Sequence, residues 1–223
     1  PRFDVYSAGV FDGLGGKMNG VAASREAAFK IMALLAQDLA IGTASFKWAL
    51  NSAFSEAAES LNRHRDGRAT TASAFIINVK SGEFAIANSG DSSIYLISET
   101  KAELLAGGFF GKFMDFEDFT LGRNLMESSL GSRIMEVSLK EGVLSRGESL
   151  LLATDGITDN LEVFLTGHPR APGTMITDSF GTEDLFRLFS WSRGNAGRIS
   201  KRIIERLDES HYDFEYDSTR NAA

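Results

Sequence analysis

Three aspartates share a sequence context that is suited to binding a divalent cation. Asp12 stands in FDGLGG, Asp91 in NSGDSS and Asp155 in LATDGITD, each beside glycine and next to an apolar stretch. A carboxylate at the end of a buried strand costs free energy unless a positive charge meets it. Mg²⁺ and Mn²⁺ prefer oxygen ligands, and glycine lets a main-chain carbonyl approach closely. Together the acids predict a metal site, although each motif alone is more typical of a turn.

Other catalytic chemistries find little support in the sequence. There is no cysteine, which excludes a disulfide framework, a thiolate zinc site and a cysteine nucleophile. The three histidines, His64, His168 and His211, are not paired at the i, i+4 spacing of a helical zinc site.

Composition narrows the class of partner. The formal net charge of −7 argues against a nucleic-acid partner, and the basic run NRHRDGR (62–68) contains an acid and is more typical of a solvated helix end. No apolar stretch reaches the roughly 20 residues that cross a bilayer. We therefore expect a cytoplasmic protein without a membrane partner, forming one domain over 1–223, and a start at Pro1 leaves room for an upstream segment.

The first part of the chain predicts one strand and two helices. Residues 3–11, FDVYSAGVF, are typical of a buried strand that stops at Asp12-Gly13. Helical spacing predicts a first helix from Val21 to Leu39 and a second from about Ser45 to Asn62. We expect their aromatic residues in the core. The predicted core positions are Ala28, Ile31, Met32, Leu35 and Leu39, then Phe46, Leu50, Phe54, Ala57 and Leu61.

The remainder predicts strands followed by helices. Segments 71–79, 84–90 and 92–97 are typical of an antiparallel meander, and 134–139 and 148–154 of two further strands. Residues 98–133 are expected to be irregular, and two more helices follow a Pro/Gly-rich loop at 166–174, in TEDLFRLFSWS and AGRISKRIIERLDES. This order predicts an α+β fold rather than an alternating βαβ sheet.

Five segments, in order, resemble the metal-dependent type 2C (PPM) serine/threonine protein phosphatases. They are VFDGLGGKMNGVAAS, ATTASAFII, AIANSGDSSIYLI, RNLMESSLGS and LSRGESLLLATDGITDNL. Leu14 stands where many eukaryotic relatives have histidine, so the resemblance is to the bacterial type. It implies a four-layer α-β-β-α sandwich of two antiparallel sheets flanked by helix pairs. It also places a mobile flap at about 98–121, where Phe109, Phe110, Phe113 and Phe116 are candidates for contact with a protein substrate or for loop packing.

The resemblance further implies a binuclear Mn²⁺ or Mg²⁺ centre. Asp12 would bridge both ions, Gly13 would offer its carbonyl, and Asp155 would hold the second ion. Asp91 would belong to a weaker third site, and Asp217 in FEYDSTRNAA would supply the last ligand. Asp12 and Asp155 would thus be catalytic through a metal-activated water that hydrolyses phosphoserine or phosphothreonine. The implied partner is a phosphorylated protein, and we expect a monomer.

Two departures from the family pattern keep an alternative open. The family's first strand carries a phosphate-gripping Arg, and Arg2 lies too close to FDGLGG to replace it. Aligning Thr219 with the family's Thr puts Tyr216 at the ligand position and Asp217 one residue late. The alternative to an enzyme is a phosphatase-like regulatory or binding module with impaired turnover. An upstream Arg and acids would favour the enzyme, and a natural start at Pro1 the module. A third hypothesis is an unrelated carboxylate-based Mg²⁺ hydrolase. It does not explain why five segments match the phosphatase family in the same order.

Overall fold

The computed structural model describes residues 4–14, 19–42, 45–98, 100–107, 128–132 and 135–157, with short pieces at 165–166, 175–176, 195, 197–198, 201 and 205. The structure gives the bounds of two helices and nine strands, and the described residues 155–157, 197, 198, 201 and 205 are also helical. The helices are α1 (Gly20–Ile41) and α2 (Phe46–Arg63). The strands are β1 (Val5–Val10), β2 (Ala72–Asn78), β3 (Glu83–Ser89), β4 (Ser93–Ile97), β5 (Ala102–Ala106), β6 (Ser138–Val143), β7 (Ser149–Ala153), β8 (Leu165–Thr166) and β9 (Met175–Ile176).

Two antiparallel sheets form the centre of the fold. The first has the strand order β1-β2-β3-β6, the second has the order β5-β4-β7, and β8 and β9 pair separately. Strands β2 and β3 alternate between two apolar faces. One face packs on the helices through Ala74, Ile76 and Ala85, and the other packs Phe84 and Ile86 against Ile94 of the second sheet. The predicted α+β fold with two antiparallel sheets is confirmed.

The helix pair covers the outer face of the first sheet. Helix α1 buries Ala23, Ala27, Ile31 and Leu35, one residue per turn, and α2 buries seven positions, four of which are alanine. Small side chains let the two helices approach closely. Helix α2 begins at Ser45, whose hydroxyl accepts the Trp48 N–H at 3.2 Å, as an N-cap does. None of the helices in the described part of the chain combines the length and the apolar character needed to cross a bilayer.

The structure corrects two expectations for the helices. The buried row of α1 passes through Ala23 and Ala27, whereas the predicted positions Ala28, Met32 and Leu39 are only partly buried. The predicted face of α2 is confirmed. The aromatic residues are not all in the core, since Phe54 is fully buried but Phe29 and Trp48 are 79% and 60% exposed.

The predicted three-strand meander is wrong. Strand β3 pairs with β2 and β6, whereas β4 leaves the first sheet and pairs with β5 and β7 in the second. The connection between them, Gly90 to Ser92, is therefore a crossing between sheets and not a hairpin turn. Gly90 has φ of +103°, a backbone conformation that side-chain-bearing residues rarely adopt.

Other differences concern the middle and the end of the chain. Residues 98–133 were expected to be irregular, but 102–106 form β5. Strand β6 occupies 138–143 rather than 134–139 and lies in a different sheet from β7. Most of the flap prediction, with its four phenylalanines, and the predicted helix in TEDLFRLFSWS lie outside the described residues. In the second predicted C-terminal helix, the described residues 197, 198, 201 and 205 are helical. The described layers are thus the helix pair and the two sheets, in that order.

Candidate functional site

Strand pairing brings the ends of several strands together at one end of the two sheets. In the first sheet Val10, at the end of β1, pairs with Ser73 near the start of β2, and Ala72 pairs with Ser89 at the end of β3. In the second sheet Ser93, at the start of β4, pairs with Ala153 at the end of β7. Asp12, Asp91 and Asp155 each lie within two residues of one of these strand ends. The register therefore gathers all three predicted acids at the same end of the fold.

Main-chain bonds hold Asp12 in place and leave its carboxyl group available. The Asp12 carbonyl accepts the Thr71 N–H at 2.8 Å and the Thr70 hydroxyl at 2.7 Å. The Asp12 N–H donates to Thr71 Oγ1 at 3.0 Å. Both threonines are buried. The backbone of Asp12 is thus tied on both sides to the start of β2.

Gly13 lies where two backbone segments meet. It forms an antiparallel bridge with Thr70, but the hydrogen bonds of this bridge come from its neighbours, including Leu14 N–H to the Ala69 carbonyl at 3.1 Å. The Gly13 N–H and C=O therefore point away from Thr70. A Cβ on Gly13 would lie 2.2 Å from the carbonyl oxygen of Gly20, the first residue of α1. Glycine is required at this position because α1 begins against it.

Asp12 and Asp155 form the acid pair, in which two carboxyl groups lie within hydrogen-bonding reach although 143 residues separate them (155 − 12). Burial raises the pKa of Asp12, and a hydrogen bond and charge repulsion from Asp155 raise it further, against a smaller opposing effect of the Gly13 N–H. Asp155 Oδ1 accepts the Gly156 N–H at 2.6 Å. Two acids placed together in this way favour either a shared proton or a bound cation.

Among the described residues, the structure brings two of the predicted carboxylate ligands, Asp12 and Asp155, together beside Gly13. The described residues contain no group of three or more Asp, Glu, His or Cys side chains arranged to hold a metal ion, so Asp91 does not join the acid pair in such a group. Asp91 lies half-buried in the crossing from β3 to β4, and its carbonyl accepts the Ser93 hydroxyl at 3.4 Å. Asp217, like Arg2, lies outside the described residues.

The residues present fit a divalent cation in their chemistry. The acid pair offers carboxylate oxygens, which Mg²⁺ and Mn²⁺ prefer, and the carbonyl of Gly13 points away from the strand to which its loop is bonded. Burial contributes most to the raised pKa of Asp12, and repulsion from the Asp155 carboxylate adds to it. A cation between them would remove this repulsion.

A network of buried polar side chains connects the acid-bearing segments, and the sequence did not reveal it. We call Thr71, Ser73, Asn88 and Ser92 the hydroxyl hub. Thr71 Oγ1 and Ser92 Oγ are 2.7 Å apart, and the Ser92 carbonyl accepts from Ser73 Oγ at 2.9 Å and from Asn88 Nδ2 at 2.6 Å. Only the small polar residues near the strand ends, in ATTAS and ANSGDSS, signal such a network.

A second group of charged residues lies between the helices and the loop before β2. We call Glu26, Asp66 and Arg68 the Arg68 cluster. Arg68 donates to Asp66 through Nε and Nη2, the latter at 2.7 Å, and to Glu26 through Nη1 at 3.1 Å. The side chain of Asn19, at the start of α1, also donates to Asp66 at 3.1 Å. The run NRHRDGR is thus only partly a solvated helix end, since the Arg68 side chain is 15% exposed.

The Arg68 cluster shifts the pKa of its acids in the opposite direction from the acid pair. The Arg68 guanidinium lowers the pKa of Asp66, and burial opposes this only in part. Burial also disfavours ionisation of Glu26, but hydrogen bonds from Ser60, His64 and Arg68 outweigh it and lower the pKa of Glu26. His64 Nε2 lies 3.0 Å from Glu26, so this histidine belongs to the cluster's surroundings rather than to a zinc site.

Comparison with known proteins supports the fold that the motifs predicted. No family model matches the sequence, and no curated protein matches it. Serine/threonine phosphatase Stp1 from Staphylococcus aureus is 17% identical with a TM-score of 0.66, covering 92% of this chain and 78% of its own. The catalytic domain of the serine/threonine protein phosphatase PstP, solved in complex with two manganese ions, is 18% identical with a TM-score of 0.60, covering 92% and 84%.

A third solved structure is more similar in sequence but covers less of the chain. A Stage II Sporulation E family protein from Thermanaerovibrio acidaminovorans is 21% identical with a TM-score of 0.52, over 70% of this chain and 79% of its own. Likeness at these identities shows a shared fold. The resemblance that the five motifs predicted is confirmed at that level: the chain has the α+β fold of the bacterial PPM serine/threonine phosphatases.

Proposed function

We propose that this protein hydrolyses phosphoserine and phosphothreonine in proteins, using Mn²⁺ or Mg²⁺ bound at the end of the two sheets. The observation that carries the proposal is the acid pair, which lies at the strand ends of a fold shared with serine/threonine phosphatases. A phosphatase structure with this fold contains two manganese ions. The fold supports the reaction, and the acid pair independently supports a cation site at the end of the sheets.

The proposed ligands have distinct roles. Asp12 would contribute to two ions, the Gly13 carbonyl would contribute to one of them, and Asp155 would hold the second. Asp91 would belong to a weaker third site, and Asp217 would supply the last ligand. Cations bound there would acidify a water molecule and neutralise charge on the phosphoryl group, so that no covalent enzyme intermediate is needed.

The chain's own residues prepare this chemistry. Hydrogen bonds from Thr70 and Thr71 to the Asp12 main chain hold this residue, and none of them uses its carboxyl oxygens. Asp155 is fixed by the Gly156 N–H. Such preorganisation lowers the cost of bringing charged groups together when the phosphate binds.

Hydrolysis of para-nitrophenyl phosphate tests the proposal. We expect activity with Mn²⁺, loss of activity with EDTA, and a fall in kcat/KM of at least about 100-fold in Asp12→Asn and in Asp155→Asn, the scale for removing a group that stabilises the transition state. Glu56→Gln is the matched control, because Glu56 forms an exposed ion pair with Lys30 on the helix pair. Activity that survives both site substitutions, or that ignores chelation, contradicts the proposal.

Phosphopeptides test the substrate class. We expect dephosphorylation of phosphoserine and phosphothreonine peptides, and the same Asp12→Asn loss with both. The alternative is a phosphatase-like binding module. One observation favours the binding module: among the described residues, only two of the candidate carboxylate ligands lie together. A protein that binds Mn²⁺ and a phosphopeptide without turning it over would establish the module instead. Monomeric state and a cytoplasmic setting remain predictions.

A further inference from the structure

We propose that Thr71 is a positioning residue for the metal centre, and that its hydroxyl fixes the Asp12 segment against the crossing that carries Asp91. This inference rests on the proposed function, because it concerns the same site. Thr71 Oγ1 accepts the Asp12 N–H at 3.0 Å and lies 2.7 Å from Ser92 Oγ. Its hydroxyl is therefore the point where the two segments meet.

The geometry gives the Thr71 hydroxyl no substitute. Thr71 is 2% exposed and Ser92 is fully buried, so water cannot readily replace either bond. A hydroxyl has one proton and two lone pairs, and Thr71 Oγ1 uses one lone pair for the Asp12 N–H while sharing a proton with Ser92 Oγ. Without it, the Asp12 N–H and the Ser92 hydroxyl would both lose a partner inside the protein.

Ser92 transmits this constraint to the crossing. Its carbonyl accepts two hydrogen bonds, from Ser73 and from Asn88, which fixes the residue directly after Asp91. The next residue, Ser93, pairs with Ala153, two positions before Asp155. Thr71 thus touches the Asp12 segment directly, and through Ser92 it contacts the segment that is paired with the Asp155 strand.

The Thr71 side chain also packs against the crossing. A Cβ on Gly90 would lie 3.0 Å from Thr71 Cβ and from its methyl carbon Cγ2. Thr71 therefore contributes a hydroxyl and a methyl group, and the two can be separated by substitution. Thr71→Val keeps the shape and removes the hydroxyl, whereas Thr71→Ser keeps the hydroxyl and removes the methyl group.

Direct Mn²⁺ binding, measured by calorimetry on the full chain, provides the first test. We expect Thr71→Val to weaken Mn²⁺ binding roughly 10- to 100-fold, the usual effect of losing a group that orients a metal ligand, and Thr71→Ser to stay within about 3-fold of wild type. In hydrolysis of para-nitrophenyl phosphate, the Mn²⁺ concentration needed for half-maximal rate should rise by the same factor, with kcat at saturating Mn²⁺ changed less.

Ser73→Ala is the matched control. It removes one of the two hydrogen bonds to the Ser92 carbonyl, whereas the Asn88 bond to that carbonyl and the Asp12 bond to Thr71 stay intact. We therefore expect lower stability with Mn²⁺ affinity within about 3-fold of wild type. If Thr71→Val loses no more Mn²⁺ affinity than Ser73→Ala, the positioning role is wrong.

Ser92→Ala is a second variant, usable where Thr71→Val does not fold. It should weaken Mn²⁺ binding by more than Ser73→Ala, and an affinity equal to that of Ser73→Ala overturns the proposal.

Amide hydrogen exchange in the metal-free protein separates this inference from the proposed function. The Asp12 amide should lose protection in Thr71→Val and keep it in Thr71→Ser, and equal protection in both variants overturns the proposal. A wild-type protein that shows neither Mn²⁺ binding nor hydrolysis would overturn the proposed function, and the positioning role with it. Mn²⁺ binding in wild type with no loss in Thr71→Val would overturn the inference alone.

Discussion

The acid pair and the Arg68 cluster each bring two carboxyl groups together. They differ in the charge of the neighbouring group and in the direction in which the pKa of a carboxyl group is shifted. In the Arg68 cluster one guanidinium bonds to both acids, and the pKa values of both are lowered, by Arg68 for Asp66 and mainly by Ser60 and His64 for Glu26. In the acid pair the nearest charged partner of Asp12 is another acid, and its pKa is raised. The first arrangement is complete within the chain, whereas the proposed cation would complete the second. An acid that the fold leaves uncompensated is thus a better indicator of a functional site than an acid in an ion pair.

The two groups are also held in different ways. Side chains hold the Arg68 cluster, and every acid in it is used for structure. Hydrogen bonds to the main-chain N–H and C=O of Asp12, together with close backbone packing, hold the Asp12 segment, and none of these bonds uses its carboxyl oxygens. Substitutions that move the backbone should therefore affect the acid pair most. Substitutions that remove a charge should affect one of the two groups and leave the other unchanged.

Gly13→Ala should have the largest effect. Its Cβ would lie 2.2 Å from the Gly20 carbonyl oxygen, and because both partners are backbone, α1 or the Asp12 segment must move. We expect a loss of about 1–3 kcal/mol in the free energy of unfolding, as for overpacking elsewhere, together with weaker Mn²⁺ binding. Urea unfolding and calorimetry measure the two quantities.

Gly42→Ala is the control for this substitution. Gly42 ends α1 with φ of +78° and has open space around a Cβ, so only backbone strain of about 1 kcal/mol is expected. Its Mn²⁺ affinity should equal that of wild type. A Gly13→Ala protein as stable as wild type and with full Mn²⁺ affinity would show that the approach of Gly20 does not position the acid pair.

Arg68→Met should break the Arg68 cluster and leave the acid pair intact. It removes the partner of both Glu26 and Asp66, so we expect a lower Tm than for Arg63→Met, whose guanidinium is 79% exposed in a helix-surface ion pair. The loss should be smaller than for Gly13→Ala, because these charges remain partly hydrated. Mn²⁺ affinity should stay at the wild-type value. An equal Tm for the two arginine variants would mean that the cluster contributes nothing beyond a surface ion pair.

The pH dependence of the same variant tests the sign of the pKa shifts. Because the pKa values of Glu26 and Asp66 are lowered in the folded state, the unfolded chain binds more protons as the pH falls below their ordinary values of 4.5 and 3.8. Their contribution to stability is present above that range and is lost as the pH falls through the folded-state values. Arg68→Met should therefore lose less stability between about pH 7 and pH 3 than wild type does.

Local pattern and the resemblance predicted much of the fold, and the errors in strand pairing are long-range. Periodicity placed α2 and its buried face, since Leu50, Phe54 and Leu61 repeat at helical spacing. It could not show that β3 pairs with β6 rather than with β4, because that pairing joins residues about 50 positions apart. A Gly-Asp turn between two short strands is locally typical of a hairpin. Only the strand pairing of both sheets shows that the chain crosses from one sheet to the other there.

The candidate site shows the same division. The sequence placed Asp12 and Asp155 at strand ends, but their contact depends on the pairing of Ser93 with Ala153 in the other sheet. The role of Thr71 also depends on the crossing, since its hydroxyl has a partner only because Ser92 lies against β2. The role of each metal ligand came from the family resemblance. The residues alone indicated only that aspartates beside glycine are suited to a divalent cation.

Asp12→Asn should stabilise the metal-free protein slightly. The folded-state pKa of Asp12 is raised, so between its ordinary value of 3.8 and the raised value the folded protein binds more protons than the unfolded chain, and stability falls as the pH rises. At neutral pH the uncharged amide of the Asn side chain removes this loss of stability. We expect a gain of about 0.5 kcal/mol, discounted for solvent screening of a half-exposed group, or ~1–2 °C in Tm with EDTA.

Mn²⁺ should reverse the order of the two proteins. It should raise the Tm of wild type by preferential binding to the folded state and leave Asp12→Asn unchanged. Thermal scans with EDTA and with Mn²⁺ make the comparison, and Glu56→Gln should behave as wild type in both. A wild-type protein that is more stable than Asp12→Asn in EDTA would show that Asp155 does not repel Asp12.

Ser89→Ala should have the smallest effect and extends the comparison from charged groups to hydroxyls. Ser89 Oγ is buried, and no hydrogen-bond partner is found for it in the described part of the chain. The hydroxyl of Ser73, equally buried, donates to the Ser92 carbonyl and accepts from Asn88. Removing an unsatisfied hydroxyl should change the free energy of unfolding by less than about 0.5 kcal/mol or increase it, whereas Ser73→Ala should lose about 1–2 kcal/mol. Parallel urea titrations compare them, and equal losses would mean that Ser89 has a partner in the folded protein, such as a bound water. A neutral result would place Ser89 with the acid pair, as a polar group that the described fold leaves uncompensated.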